Sequence, residues 1–283
     1  MIDELAGVLR PILGQDVIVE NLQTLTGGAS RTTYSFDAIS GAERRRMILR
    51  AAPTAEGQFA SMELEAAVQA AADQSGAPVP NILTASNSPA ALGNPYLICD
   101  EIAGETIVRK IQRQLDDAGR SRLLTQCGQA LAAIHRASTD AAELRERDEL
   151  VEWRQRLDEL GDTTATFEWA FRWLEANRPA PSAIRLVHGD FRMGNLIVDG
   201  STLAAVLDWE AVHIGEVYED LAWFCVRAWR FGAPAELAAG GLGTIEAFVA
   251  AYERAGGTPV DRWWPIPPTG FDPTDDARPD IGR

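Results

Sequence analysis

Residues 186–209 read LVHGDFRMGNLIVDGSTLAAVLDW, and this stretch decides the fold. Apolar runs on either side of a short loop, with a third run after turn residues at 199–200, predict strand, loop, strand, turn and strand. Asp190, Asn195 and Asp208 each stand at the end of one of these runs. A hairpin at 199–200 would bring Asp208 back beside Asn195. We therefore expect two carboxylates and one amide at the same end of a small sheet.

These three side chains suit a cation and phosphoryl-transfer site. Mg²⁺ prefers oxygen ligands such as those of Asn195 and Asp208, and it completes its shell with water and substrate phosphates. A carboxylate placed like Asp190 can accept a hydroxyl proton and align the hydroxyl for in-line attack on phosphorus. Any one of the three could be an ordinary turn residue. The complete pattern, in its predicted strand context, favours the catalytic interpretation.

Composition narrows the class of protein. The chain has 283 residues, 46% of them hydrophobic, and a net charge of -15, so its average surface repels nucleic acid. No apolar run is long enough to span a bilayer, and Asp3 and Glu4 near the start do not fit a signal peptide. The three cysteines are far apart and form no C-x-x-C motif, which favours reduced thiols in a cytoplasmic protein.

The first hundred residues are predicted to be rich in strands, with one helix. Three alternating runs predict an antiparallel meander, at residues 17–25, 31–38 and 45–51. Helical spacing covers 59–73, and the apolar run 95–102 predicts a central strand. The break at Ala103-Gly104 suggests a boundary between two lobes.

The remainder is predicted to be mainly helical. Candidate helices cover residues 122–137, 143–160, 167–176, 218–229 and 244–255. Five prolines after residue 260 exclude a single regular element there, and we expect residues 265–283 to be poorly ordered. The predicted organisation is therefore an N-terminal nucleotide-binding lobe (1–102), a helical catalytic lobe (103–264) and a proline-rich tail (265–283).

The motif H-x-D-x-x-x-x-N, followed by an Asp at a strand end, resembles the kinase catalytic pattern in its small-molecule form. The HGD wording, DW in place of DFG, and EDLA at 219–222 resemble the aminoglycoside phosphotransferase family, which shares a bilobal protein-kinase-like fold with choline kinases. The wording HGDFRMGNLIV…VLDWE…EDLAW looks most like the branch found as the kinase domain of some acyl-CoA dehydrogenase fusions. The resemblance runs from about residue 17 to about residue 264 and is most specific at the catalytic loop.

The resemblance implies an α+β, bilobal protein-kinase-like fold, with a small antiparallel-sheet N-lobe and a mainly helical C-lobe. It implies that Asp190 is the catalytic base and that Asn195 and Asp208 bind Mg²⁺. It further implies that His188 braces the loop backbone and that Asp220 anchors the loop from below. For Asp220, an ordinary acid at a helix start is an equally good interpretation.

A turn of small residues between the first two strands lies where this fold holds ATP phosphates, because backbone N–H groups can approach phosphate oxygens there. The residues expected to do this are Gly27, Gly28 and Ser30. The resemblance also implies an inter-lobe hinge at 96–102, where backbone groups of Asp100 and Ile102 would meet adenine.

The third strand carries Arg50 where the family pattern has a lysine. Lys110 is the only lysine of the chain and lies outside this lobe. Arginine is always charged and can donate hydrogen bonds to two oxygens at once, so it can bind the phosphates. Its acidic partner on the following helix would be Glu65, with Glu63 as the second choice.

The sequence thus predicts a kinase that uses ATP and Mg²⁺ to phosphorylate a small-molecule alcohol, with no nucleic-acid or membrane partner. The acceptor stays open between an aminoglycoside and a hydroxyacyl-type alcohol. Because Arg50 replaces lysine, a nucleotide-binding pseudokinase is the alternative, and a structural protein without nucleotide is a third possibility. Trp223 and Trp229 are expected in the core. Trp153, Trp169 and Trp173 could line an acceptor pocket, although their spacing favours packing.

Overall fold

The computed structural model describes residues 1–25, 31–52, 60–141, 143–178 and 183–260. The N-terminal elements are α1 (Ile2–Leu13), β1 (Ile18–Leu25), β2 (Thr32–Ser40), β3 (Glu43–Ala51), α2 (Met62–Gln74), β4 (Ile82–Ser86) and β5 (Tyr96–Asp100). The Gly27, Gly28 and Ser30 turn lies outside the described residues, as does the tail from residue 261 onward.

The five N-terminal strands form one antiparallel sheet in the order β1-β2-β3-β5-β4. The predicted meander and the interior position of β5 are confirmed. Side chains alternate along β3, so Met47 and Leu49 are buried in the core beneath α1, whereas Ile48 packs beside α2. The same alternation sends Arg50 towards α2.

Two N-terminal elements were not predicted. Helix α1 buries Leu5, Ala6 and Leu9 against the sheet, and the i, i+4 spacing of Leu5 and Leu9 was the signal available in the sequence. Strand β4 lies at the sheet edge with every residue half-buried, so it has no hydrophobic alternation to reveal it.

The remaining elements are short strands among helices. They are α3 (Val108–Gln114), α4 (Asp117–Arg136), α5 (Glu149–Leu160), α6 (Ala165–Ala176), β6 (Ile184–Val187), β7 (Leu196–Asp199), β8 (Thr202–Val206), β9 (His213–Glu216), α7 (Tyr218–Cys225) and α8 (Ile245–Arg254), with 3₁₀ turns at Met193–Asn195 and Arg227–Arg230. Strands β7 and β8 form the predicted hairpin, and β6 pairs with β9. The fold is α+β, as expected.

The helical core is built around α4, which packs against α8. Gly128 allows the close approach of the two helices, because a Cβ at this position would lie 2.8 Å from the backbone nitrogen of Tyr252. Helix α2 extends this core towards the sheet: Leu64 and Val68 belong to the same apolar cluster as α4, whereas Met62 packs with Leu97 of β5.

Two predicted helices are shorter than expected. The helix predicted from residue 143 begins at Glu149, because Arg145 and Arg147 exchange backbone hydrogen bonds with Ile214 and so stay extended. The helix predicted over 218–229 ends at Cys225. There the N–H of Gly240 donates to the carbonyl of Phe224, taking an acceptor that a longer helix would need.

The lobe boundaries at 102 and 264 stay predictions. Within the part of the chain that the structure describes, no helix is both long and apolar enough to cross a lipid bilayer.

Candidate active site

The β7–β8 hairpin brings the ends of the diagnostic motif together. The N–H of Leu207 donates to the backbone carbonyl of Asn195 (2.8 Å), so Asp208 follows directly beside Asn195. Asp208 has φ +68°, a left-handed conformation that costs a non-glycine residue about 1 kcal/mol or more. Such a conformation persists only where its surroundings fix it. One support is Trp209, which is fully buried and donates its indole N–H to the carbonyl of Val206 (3.1 Å).

The carboxylate of Asp190 is held by three donors. Arg192 Nε lies 2.9 and 3.1 Å from its two oxygens, Asn195 Nδ2 donates to Oδ2 (2.6 Å), and Trp223 Nε1 donates to Oδ1 (2.6 Å). These contacts fix the direction of the carboxylate. Because the amide nitrogen of Asn195 faces Asp190, its Oδ1 is the atom offered to a cation.

Asp220 lies beneath the catalytic loop and accepts hydrogen bonds from the N–H groups of His188 (2.8 Å) and Gly189 (3.0 Å). Its Oδ2 also lies 3.2 Å from Nε2 of His135, whose Nδ1 is 2.8 Å from the hydroxyl of Tyr252. Burial alone would raise the pKa of Asp220, but these hydrogen bonds hold it below its ordinary value. A charged carboxylate in this position ties the loop to the helical core.

His188 links the two ends of the motif without contacting the Asp190 carboxylate. Its Nε2–H donates to the carbonyl of Leu207 (3.1 Å), and its Nδ1 accepts from the N–H of Asp190 (3.2 Å). Burial lowers its pKa, which favours the neutral ring that this pattern requires. Gly189 has φ +82°, and a Cβ there would lie 2.6 Å from the carbonyl oxygen of Ala211, so the loop needs glycine.

Arg50 joins the sheet to this site. Its Nη1 lies 3.1 Å from Glu65 on α2, and its Nη2 lies 2.8 Å from Asp208. Glu65 is fully buried, and burial raises its pKa to about 7. Glu63, the second choice, instead accepts hydrogen bonds from Asn87. The structure therefore brings Glu65, and not Glu63, to Arg50.

Arg31 and Glu210 were not identified from the sequence. Arg31 precedes β2, forms an ion pair with Glu65, and lies 3.2 Å from Glu210, which follows the DW motif. The two residues are far apart in sequence, and nothing in the local pattern of either one points to the other.

The predicted hinge residues lie at the end of β5. The N–H of Asp100 donates to the carbonyl of Asn81 (3.0 Å), and its side chain pairs with Arg45 at 2.7 Å. Asp100 could therefore offer only its backbone carbonyl to a ligand. Among the described residues, no hydrogen bond involves the backbone of Ile102, so its groups are available.

A cavity of about 680 Å³ opens beside Asp190. The large apolar residues of its lining are Leu150, Trp153, Phe171, Leu174, Trp223 and Val226. Trp223 is 37% exposed and hydrogen-bonded to Asp190, so its expected core position is wrong. Trp153 lines the cavity, whereas Trp169 and Trp173 are not among its lining residues.

The lining of the cavity also includes charged residues. His213 Nε2 lies 2.9 Å from Glu219, and burial raises the pKa of Glu219 to about 7. Arg147 pairs with Glu149 at 3.0 Å, and Arg178 pairs with Glu216 at 3.2 Å. These acids of the lining thus already have basic partners.

Residues 21–262 match the model of a family described as the phosphotransferase enzyme family. The chain belongs to this family. Acyl-CoA dehydrogenase family member 10 of Mus musculus is 26% identical over 262 residues, covering 83% of this chain and 24% of the relative. The chain thus spans about a quarter of the length of this curated relative.

Solved structures of this phosphotransferase family have the same fold. A Ralstonia eutropha protein proposed to be an aminoglycoside phosphotransferase has a TM-score of 0.70 at 21% identity, over 92% of this chain and 81% of its own. Aminoglycoside phosphotransferase APH(4)-Ia, in a ternary complex with ADP and hygromycin B, has a TM-score of 0.56 at 19% identity, over 89% and 82%. The expected family and the bilobal kinase-like fold are both confirmed.

Proposed function

We propose that this protein is an ATP-dependent kinase that phosphorylates the hydroxyl group of a small molecule. The observation that carries the proposal is the convergence of three side chains, Asp190, Asn195 and Asp208, at the end of one hairpin. Arg50 faces them from the sheet, and a cavity large enough for a small alcohol opens beside Asp190. Family membership and the ADP complex of a related fold support the same function.

The residues present fit a magnesium nucleotide. Oδ1 of Asn195 and the carboxylate of Asp208 are hard oxygen donors, and bound Mg²⁺ would neutralise charge on the phosphates. Arg50 would contact the phosphates together with Gly27, Gly28 and Ser30. The carbonyl of Asp100 and the N–H of Ile102 would pair with the amino group and a ring nitrogen of adenine.

Asp190 would orient the acceptor hydroxyl and take its proton. In the transfer, a bond forms between the hydroxyl oxygen and the γ-phosphorus while the bond from that phosphorus to ADP breaks. The proton passes to the Asp190 carboxylate, which Trp223, Asn195 and Arg192 keep aligned. Positioning supplies most of the catalysis in such a reaction.

The cavity favours an alcohol with an apolar body. Its tryptophan and leucine lining would bury such a body, whereas its acids already have basic partners and offer little to a polycation. We therefore favour a hydroxyacyl-type acceptor over an aminoglycoside.

The test is ADP release with a panel of alcohols in the presence of Mg²⁺, paired with a thermal-shift titration of Mg-ATP. Asp190→Asn should abolish turnover and leave nucleotide binding in place, because it keeps the shape of the side chain and removes the proton acceptor. Asp199→Asn, on the exposed turn of the same hairpin, is the matched control and should keep wild-type turnover. Binding without turnover across the panel would identify a pseudokinase, and turnover by Asp190→Asn would refute the site.

A further inference from the structure

Two arginines and three carboxylates form a closed ring in the site. Arg31 pairs with Glu65 and Glu210, and Arg50 pairs with Glu65 and Asp208. Because a single residue separates Asp208 from Glu210, the backbone itself closes the ring. The ring therefore connects β3, helix α2 and the segment that carries the proposed metal ligand.

Arg31 is fully committed to protein partners. Besides its two carboxylates, its Nη2 donates to the carbonyl of Ala60 (2.9 Å), and its Nη1 lies 3.2 Å from the sulfur of Met62. Its side chain is only 5% exposed. With both η nitrogens and Nε engaged, Arg31 cannot bind phosphate, so any contribution it makes must act through its partners.

We propose that Arg31 is a positioning residue for the phosphoryl transfer. By holding Glu65 and Glu210 together, it fixes segment 208–210 against α2, so that Asp208 and Arg50 face each other. The nucleotide part of this inference rests on the proposed kinase function.

The strained backbone of Asp208 explains why such a support is needed. The residue keeps φ +68° only if its neighbours hold it, and the ring holds the segment at both ends, through Arg50 at Asp208 and through Arg31 at Glu210. Without Arg31, only one of these two contacts would remain.

The ring also explains how Arg50 can bind the phosphates of a nucleotide. Arg50 is the more exposed of the two arginines, 18% against 5%, and it is therefore the one that can turn towards phosphate. If it did so in the absence of Arg31, the fully buried Glu65 would lose its counter-ion, which is a costly state. Arg31 keeps Glu65 paired while Arg50 moves.

The first test is hydrogen exchange of the ligand-free protein. Arg31→Gln should speed exchange of the amides in residues 206–212 about tenfold, because their anchor is lost. Arg44→Gln is the matched control: Arg44 also bridges two carboxylates, Glu20 and Asp37, but on the far end of β3. Unchanged exchange at 206–212 in Arg31→Gln, or an equal change in Arg44→Gln, would overturn the proposal.

The second test is uptake of Mn²⁺ with ADP, followed by the paramagnetic signal of Mn²⁺. Arg31→Gln should weaken this uptake about tenfold and Arg44→Gln should not, a difference that mere loss of stability would not produce. Equal uptake by Arg31→Gln and wild type would overturn the proposal. If the wild type takes up no Mn²⁺ with ADP, the kinase function fails, and the exchange test alone decides the role of Arg31. If Arg31→Gln does not fold, Glu210→Gln tests the same contact from its other end.

Discussion

Trp223 donates its indole N–H to Oδ1 of Asp190 over 2.6 Å and also lines the neighbouring cavity. One side chain therefore contacts both the proposed catalytic base and the space proposed for the acceptor. Hydrogen bonds to a charged group contribute about 1.5–3 kcal/mol, so this contact is strong enough to determine where the carboxylate points.

Trp223→Phe should lower kcat about tenfold or more, because the ring stays and only the donor to Asp190 is lost. The affinity for Mg-ADP should not change, since Trp223 does not contact the proposed nucleotide residues. Steady-state kinetics with the best alcohol of the panel measures the first effect, and calorimetry measures the second. Trp169→Phe is the control, because Trp169 is 60% exposed on α6. An unchanged kcat in Trp223→Phe would contradict the assignment.

Arg50→Met should lower the free energy of unfolding by about 1.5–3 kcal/mol, because it removes charged hydrogen bonds to Glu65 and Asp208 while Arg31 still pairs with Glu65. Arg46→Met changes another arginine of β3 whose side chain is 52% exposed, and it should cost about 1 kcal/mol or less. Urea denaturation of both variants measures the difference. Equal losses would show that Arg50 has no special place in the fold.

The stability contributed by Glu219 should depend on pH. Burial raises its folded pKa from 4.5 to about 7, so the folded state binds more protons than the unfolded state between these values. Its contribution is therefore complete below about pH 4.5 and is lost as the pH rises through 7. The raised pKa of its partner His213 acts in the same direction.

Glu219→Gln imitates the protonated acid and does not titrate. Because the wild type loses stability as Glu219 ionises, the free energy of unfolding of the variant relative to wild type should rise between pH 5 and pH 8. Glu216→Gln, which changes another acid that lines the cavity, is the control. Thermal unfolding at a series of pH values measures both variants. A constant difference between Glu219→Gln and wild type would exclude a raised pKa at this position.

Replacement of two helical glycines by alanine should change the stability of the protein in opposite directions. At Gly128, a Cβ would meet α8 at 2.8 Å, so Gly128→Ala should destabilise the protein despite the better helix propensity of alanine. At Gly7 in α1 nothing lies within 4 Å, and Gly7→Ala should stabilise by up to ~1 kcal/mol. Chemical denaturation decides both, and a stabilising Gly128→Ala would show that α4 and α8 are not so closely packed.

The sequence predicted the strands and hairpin of residues 186–209 well because the information for them is local. Asp190 and Asn195 lie five residues apart, and a single hairpin returns Asp208 to them, so spacing and turn residues were sufficient. The role of Asp190 as base stays a prediction, although its surroundings suit one.

Contacts between distant segments could not be predicted in this way. Arg31 and Glu210 meet only after the sheet, α2 and the hairpin have packed together, and Trp223 looked like a core residue because its neighbours on α7 are apolar. The early end of α7 likewise depends on Gly240, which arrives from another part of the chain.

The packing of helix α2 has one further consequence for how this protein could move. Its Leu64 and Val68 are embedded with α4, while its Met62 is embedded with β5. If the sheet moved relative to the helical core, the side chains packed against α2 would have to slide past one another. The motion would therefore be a shear of packed side chains and not a hinge rotation about a loop.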